Sequence, residues 1–208
     1  IDRYCNAGLQ AINSMAQAIM TGCGDIMIAA GVEHMSHYPM MSSISAAEMA
    51  KFPVMIHDKI YERNVFTPMG VAADMVAKKY GLTREDCDKF GLWSHQKATK
   101  AIRDKEWYSK RIATVKVTEP DGTTKVIDTD ETVRTQSLDE PEVAYSKLTK
   151  LESRFTPDGV HTAGNSSQIV DGAAAAMLMS EEKADELGLK TMATIKSMAV
   201  AGSEPMIM

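Results

Sequence analysis

Residues 6–31, NAGLQAINSMAQAIMTGCGDIMIAAG, carry the two signals that decide the fold class. Leu9, Ile12, Met15, Ala16 and Ile19 recur at the spacing of one helix face, and Gly22 supplies the stop. Asp25-Ile26-Met27-Ile28-Ala29-Ala30-Gly31 then forms a short continuous apolar run bounded by glycines, the pattern of a strand buried on both faces. A helix followed by a buried central strand predicts an α/β fold, because a parallel strand needs helices above and below it. A strand is therefore also expected before Cys5, with Ile1 to Tyr4 as its last part.

Working outward, residues 32 to about 67 are broken by polar residues and prolines and are rich in methionine, so they read as an excursion from the core. Helices are predicted over Met69 to Tyr80, stopped by Gly81, and from Thr83 to about Lys105, where Thr83 and Asp86 form a capping-box pattern. Ala113 to Thr118 alternates, Pro120-Asp121-Gly122 turns and Lys125-Val126-Ile127 returns, which is a hairpin. After Phe155 the composition becomes core-like: the small apolar run Gly172 to Met179, a helix capped by Ser180 and stopped by Gly188, and a strand over Met192 to Val200. The expected division is 1–35, a mixed and more polar insertion over 36–155, and 156–208, with no internal repeat.

The 208 residues are 44% hydrophobic and 25% charged, the balance of a folded globular chain. Lys and Arg number 23 against 28 Asp and Glu, a net charge of −5 without a basic block, which argues against nucleic acid as a partner. No apolar run reaches the roughly 18 residues that span a bilayer, and no secretory signal pattern opens the chain. Three cysteines, Cys5, Cys23 and Cys87, lack disulfide or C-x-x-C spacing, which points to a reducing, cytoplasmic setting. The apolar ends, Ile1 and Met206-Ile207-Met208, are those expected of a piece of a longer protein.

Cys5 stands where an extended segment turns into a helix, a place where the helix dipole and unpaired N–H groups favour a thiolate nucleophile. A small buried residue at a tight junction fits the same position. Cys23 and Cys87 have no comparable setting. The histidines, His34, His37, His57, His95 and His161, stand in no distinctive motif, and no metal site is expected around the His34 and His37 pair. The stretch His161-Thr162-Ala163-Gly164-Asn165-Ser166-Ser167-Gln168-Ile169-Val170-Asp171-Gly172 combines small residues with hydroxyls and an amide. It suits close approach of a pantetheine or phosphate arm, or simply a loop turning into a strand.

Four segments taken in order carry a resemblance: Arg3-Tyr4-Cys5-Asn6-Ala7-Gly8-Leu9-Gln10-Ala11-Ile12; Gly31-Val32-Glu33-His34-Met35-Ser36; Met69-Gly70-Val71-Ala72-Ala73-Asp74; and Thr162-Ala163-Gly164-Asn165-Ser166-Ser167 with Asp171-Gly172-Ala173-Ala174-Ala175. Together they resemble the thiolase family, acyltransferases that cleave or form 3-ketoacyl-CoA. The resemblance implies a partial layered α/β/α/β/α architecture with an inserted loop domain. It makes Cys5 the acylated nucleophile, and it places Met69 beside the thioester and Ala163, Ser167 and Ile169 along the pantetheine arm. Asp2 departs from the Asn, Ser or Thr common there in the family, and Asn6 and Ala7 depart from its small hydroxyl residues. Pro68 replaces a histidine of short-chain biosynthetic members, which favours the degradative branch.

The family's Gly-His-Pro segment, Asn-Glu-Ala segment and second cysteine do not occur in these residues. The resemblance is to the middle half of a thiolase, and the segment alone is expected to be inactive. It implies two-step covalent catalysis through Cys5 with coenzyme A as substrate, no cofactor, acyl-CoA and coenzyme A as ligands, and a homodimer or homotetramer. In a eukaryote the compartment would be mitochondrial or peroxisomal. A non-catalytic thiolase-like acyl-CoA or lipid-binding subunit is the alternative, and a cysteine hydrolase a third.

Overall fold

The computed structural model describes residues 1–40, 42, 45 and 58–208, so part of the methionine-rich excursion lies outside the described residues. In chain order the elements begin with a 3-10 turn at Tyr4–Asn6, α1 (Ala7–Met20), β1 (Ile26–Glu33), α2 (Asp58–Glu62), α3 (Met69–Tyr80) and α4 (Arg84–Arg103). They continue with α5 (Lys105–Ser109), β2 (Val115–Thr118), β3 (Thr124–Ile127), α6 (Gln136–Asp139), α7 (Pro141–Leu148), β4 (Gly172–Met179), α8 (Glu181–Glu186) and a 3-10 turn at Pro205–Ile207. This is an α/β chain. It divides into two compact units, one of residues 1–57 and 168–202, the other of 58–167 and 203–208.

In the first unit α1 ends where the Thr21 hydroxyl donates to the Gln17 and Ala18 carbonyls, 2.9 and 3.2 Å away. β1 pairs antiparallel with β4, from Ile26 opposite Met179 to Glu33 opposite Gly172. This corrects the expectation of a parallel strand buried on both faces. Side chains alternate across a strand, and α1 packs on the sheet, where Ala29 is buried. Ile26, Ile28 and Val32 on the opposite side are 42, 61 and 80% exposed. A continuous apolar run therefore reported chemistry without reporting what covers it.

Two further strand expectations fail for one reason, the lack of a pairing neighbour. Residues 1–3 form no strand, and residues 2–6 satisfy backbone groups locally, with the Tyr4 N–H donating to Asp2 Oδ1 at 3.4 Å and the Asn6 N–H to the Arg3 carbonyl at 3.1 Å. Met192 to Val200 is also irregular, and among the described residues β1 and β4 pair only with each other. By contrast α8 starts at Ser180, whose hydroxyl accepts from the Lys183 N–H at 3.2 Å, as its sequence predicts.

The second unit follows local signals closely. α3 stops at Gly81, which takes the left-handed φ of 67° that an L side chain disfavours. Thr83 and Asp86 complete the capping box of α4, with the Asp86 N–H donating to Thr83 Oγ1 at 3.2 Å and the Thr83 N–H to Asp86 Oδ2 at 2.9 Å. The expected long helix ends earlier, at Arg103, because Asp104 leaves the helix and caps α5 by accepting from the Trp107 N–H at 3.0 Å. The hairpin forms as β2 and β3, and Tyr108 Oη receives the Asp130 N–H at 3.0 Å, tying the hairpin's exit to α5. The short α6 and α7 carry no periodic signal long enough to predict.

Candidate functional site

Cys5 lies inside the 3-10 turn that feeds α1, and its side chain is exposed. Tyr4 before it has φ 49°, a left-handed conformation that costs a non-glycine residue on the order of 1 kcal/mol. Such strain presents a residue at a sharp turn. α1 has no acidic side chain in its own first turn, so no carboxylate of the helix offsets the positive end of its dipole. Cys87 differs. Burial pushes its thiol up, and the Asp88 and Asp86 carboxylates push it further, away from nucleophilic form.

At the end of the β1–β4 pair, Asp171 accepts from the Ser36 N–H at 2.9 Å and the Ser36 hydroxyl at 2.6 Å. The hydroxyl and then the backbone donor hold the Asp171 carboxyl below its usual range against desolvation. His34 Nε2 lies 3.5 Å from the same carboxylate, and its ring stacks on His37 with centroids 5.4 Å apart. The carboxylate beside His34 thus comes from a residue far away in sequence.

The second unit holds a polar network around two buried carboxylates. Asp74 on α3 accepts from Thr156 Oγ1 at 2.8 Å, the Val160 N–H at 3.0 Å, the His161 N–H at 3.2 Å and His161 Nδ1 at 2.7 Å. Burial raises its carboxyl, but the hydrogen bonds from His161, Thr156 and the two N–H groups outweigh that and leave it below the ordinary range. Asp88 on α4, 0% exposed, accepts from Arg84 Nε at 2.8 Å and Asn165 Nδ2 at 2.9 Å. Asn165 also donates to the Val160 carbonyl at 3.0 Å and receives the Thr162 N–H at 2.8 Å. The two carboxylates thus fix residues 156–165 from two helices at once. A side chain at Gly159 would displace the network, because its Cβ would meet the Asp74 carboxylate and Thr156 Oγ1.

Beside this network a 260 Å³ cavity is lined by Met69, Ala72, Ala73, Val76, Leu82 and His161, among others. A 380 Å³ cavity opens next to it along α3, lined by Phe66, Pro68, Val71, Met75 and Met206. Met69, expected beside the thioester, reaches the smaller cavity; of the residues expected along the pantetheine arm, Ala163 is exposed on the segment that the network holds and Ser167 is exposed just beyond it. Ile169, 70% exposed, belongs with Cys5 to the first unit.

Residues 1–182 match the sequence profile of the thiolase N-terminal domain. The chain belongs to the thiolase family. It is 40% identical over 209 aligned residues to a 3-ketoacyl-CoA thiolase of Marinobacter nauticus and 39% identical to one of Hahella chejuensis, covering 100% of this chain and 50% of each relative. It spans about half the length of the relatives it matches.

Solved structures agree with this thiolase assignment. The dimeric peroxisomal thiolase of Saccharomyces cerevisiae superposes with TM-score 0.69 at 30% identity, over 91% of this chain and 45% of that one. The acetyl-CoA acetyltransferase of Syntrophomonas wolfei gives 0.67 at 33%, over 89% and 46%. The architecture is a partial thiolase-like α/β fold. Within it, sequence reading missed Asp74, Asp88 and Asn165 as organisers and set His161 aside as a lone histidine. Asp74 did carry a signal, an acid inside the otherwise apolar run from Met69 to Ala77.

Proposed function

We propose that the complete protein is an acetyl-CoA C-acyltransferase that cleaves 3-ketoacyl-CoA through an acyl-cysteine intermediate, of the degradative, β-oxidation type. The observation that carries this reading is Cys5, exposed in a strained turn at the start of α1, inside the thiolase profile match. The Cys5 thiolate attacks the 3-keto carbon, the bond between C2 and C3 breaks, and acetyl-CoA leaves as an enolate that takes up a proton. Coenzyme A then attacks the acyl-Cys5 thioester, forming the shortened acyl-CoA and returning the thiol. The Cys5 backbone N–H serves as one oxyanion donor, a contribution typically of roughly 3 kcal/mol.

Met69 lies against the thioester, and Ala163, Ser167 and Ile169 line the pantetheine arm. Their exposure leaves them accessible to a ligand. The reaction as written uses coenzyme A as substrate and needs no cofactor. A homodimer or homotetramer is proposed from the yeast relative, which is described as dimeric. The compartment proposed is the cytoplasm, and no described helix is long and apolar enough to cross a membrane.

The test is alkylation of the complete protein with iodoacetamide near neutral pH. Cys5 is expected to label well before Cys23 and Cys87 and to be protected by acyl-CoA. Equal labelling of the three thiols would sink the assignment.

A further inference from the structure

The smaller cavity of the second unit has an apolar wall broken by a single polar side chain, His161, which is 21% exposed. An ionised carboxylate only accepts hydrogen bonds, so the 2.7 Å contact between Asp74 Oδ1 and His161 Nδ1 puts the proton on Nδ1. In its neutral form the ring keeps a lone pair on Nε2, to which no hydrogen bond is made among the described residues. Thr156, the Val160 N–H and the His161 N–H hold the same carboxylate, so neither partner can swing away. We infer that His161 is a recognition residue whose Nε2 accepts one hydrogen bond from an apolar, thioester-bearing chain lying along Met69, Ala72 and Val76, with Asp74 as its positioning residue. This rests on the acyltransferase reading above. A purely apolar chain would leave the acceptor unsatisfied once water is expelled, so the cavity favours a ligand with one N–H or O–H at that depth. A pantetheine amide and a hydroxylated acyl chain both supply such a group.

In the complete protein, His161→Leu is expected to raise KM about five- to tenfold with kcat within twofold, the size of one lost hydrogen bond. His161→Gln, which keeps an acceptor, restores most of the loss. Three probes separate the donors: coenzyme A, an unsubstituted 3-ketoacyl-CoA and its hydroxylated-chain counterpart. An equal rise for all three assigns the donor to the pantetheine amide, and a rise for the hydroxylated substrate alone assigns it to the acyl chain. Unchanged KM for all three, or equal damage from Leu and Gln, overturns the role. Absence of thiolysis in the wild type is instead a failure of the acyltransferase reading, and ligand binding by calorimetry to wild type and His161→Leu then tests the cavity alone, equal affinities overturning it. If His161→Leu does not fold, the ¹⁵N resonance of His161 Nε2 in the wild type decides. It should shift with coenzyme A or the hydroxylated acyl-CoA, and no shift with either overturns the proposal.

Discussion

The β1–β4 pair and the segment 156–165 invert the usual relation between polarity and burial. The pair is built from apolar residues, yet Ile28 and Val32 stand 61 and 80% exposed. The segment is held by carboxylates, yet Asp88 is 0% exposed and Thr162 likewise. Apolar side chains are buried only where another element covers them, whereas a buried charge is tolerated wherever enough donors converge on it. The first unit thus presents an exposed cysteine and a sheet face whose Ile28 and Val32 stand exposed. The second unit places its buried polar bonds around the 156–165 loop.

The largest expected effect separates chemistry from scaffold. Cys5→Ala should reduce turnover of the complete protein by at least about a thousandfold while leaving the melting temperature unchanged, since removing a covalent nucleophile eliminates the step itself and the residue is exposed. Retained turnover measured by thioester cleavage would remove Cys5 from the mechanism. Next, Asp88→Ala leaves Arg84 and Asn165 without their buried acceptor and should cost roughly 3–5 kcal/mol in urea unfolding. A loss below 1 kcal/mol would mean the network is solvated rather than structural.

Gly159→Ala probes the same network sterically. Its methyl would press on the Asp74 carboxylate and Thr156, for an expected cost of about 1–3 kcal/mol, and Asp74→Asn should blunt the acid sensitivity described next. Because the folded Asp74 carboxyl is depressed, its contribution is fully present above the unfolded value near 3.8 and disappears as pH falls through the lower folded value. Urea midpoints measured from pH 6 down to 2 should therefore fall more steeply in wild type than in Asp74→Asn. Parallel curves would show that Asp74 is not ionised in the fold. The smallest effect belongs to the sheet: Ile28→Ala, on the exposed face, should shift stability of residues 1–208 by less than about 0.5 kcal/mol. A loss of several kcal/mol there would show that this face is covered after all.

Helix ends and the hairpin were legible because their causes are local. Thr83 meets Asp86 three residues on, Ser180 meets Lys183, Gly81 alone accepts its backbone angle, and Asp121 holds the turn by accepting from the Thr123 N–H at 2.9 Å. The turn into α1 at Cys5 was legible for the same reason, since it needs no distant partner to be recognised. The organisers of the loop were not. Asp74 finds Thr156 82 residues away, Asp88 finds Asn165 at a separation of 77, and Asp171 finds Ser36 at 135. An isolated acid in a sequence carries no mark of which donors will converge on it, so His161 read as a lone ring until the fold set Asp74 behind it. The sheet shows the same limit from the other side. A run such as Ile26 to Ala30 announces an apolar strand, but strand direction, neighbour and cover are properties of hydrogen bonds and contacts between remote segments, and only the tertiary structure assigns those.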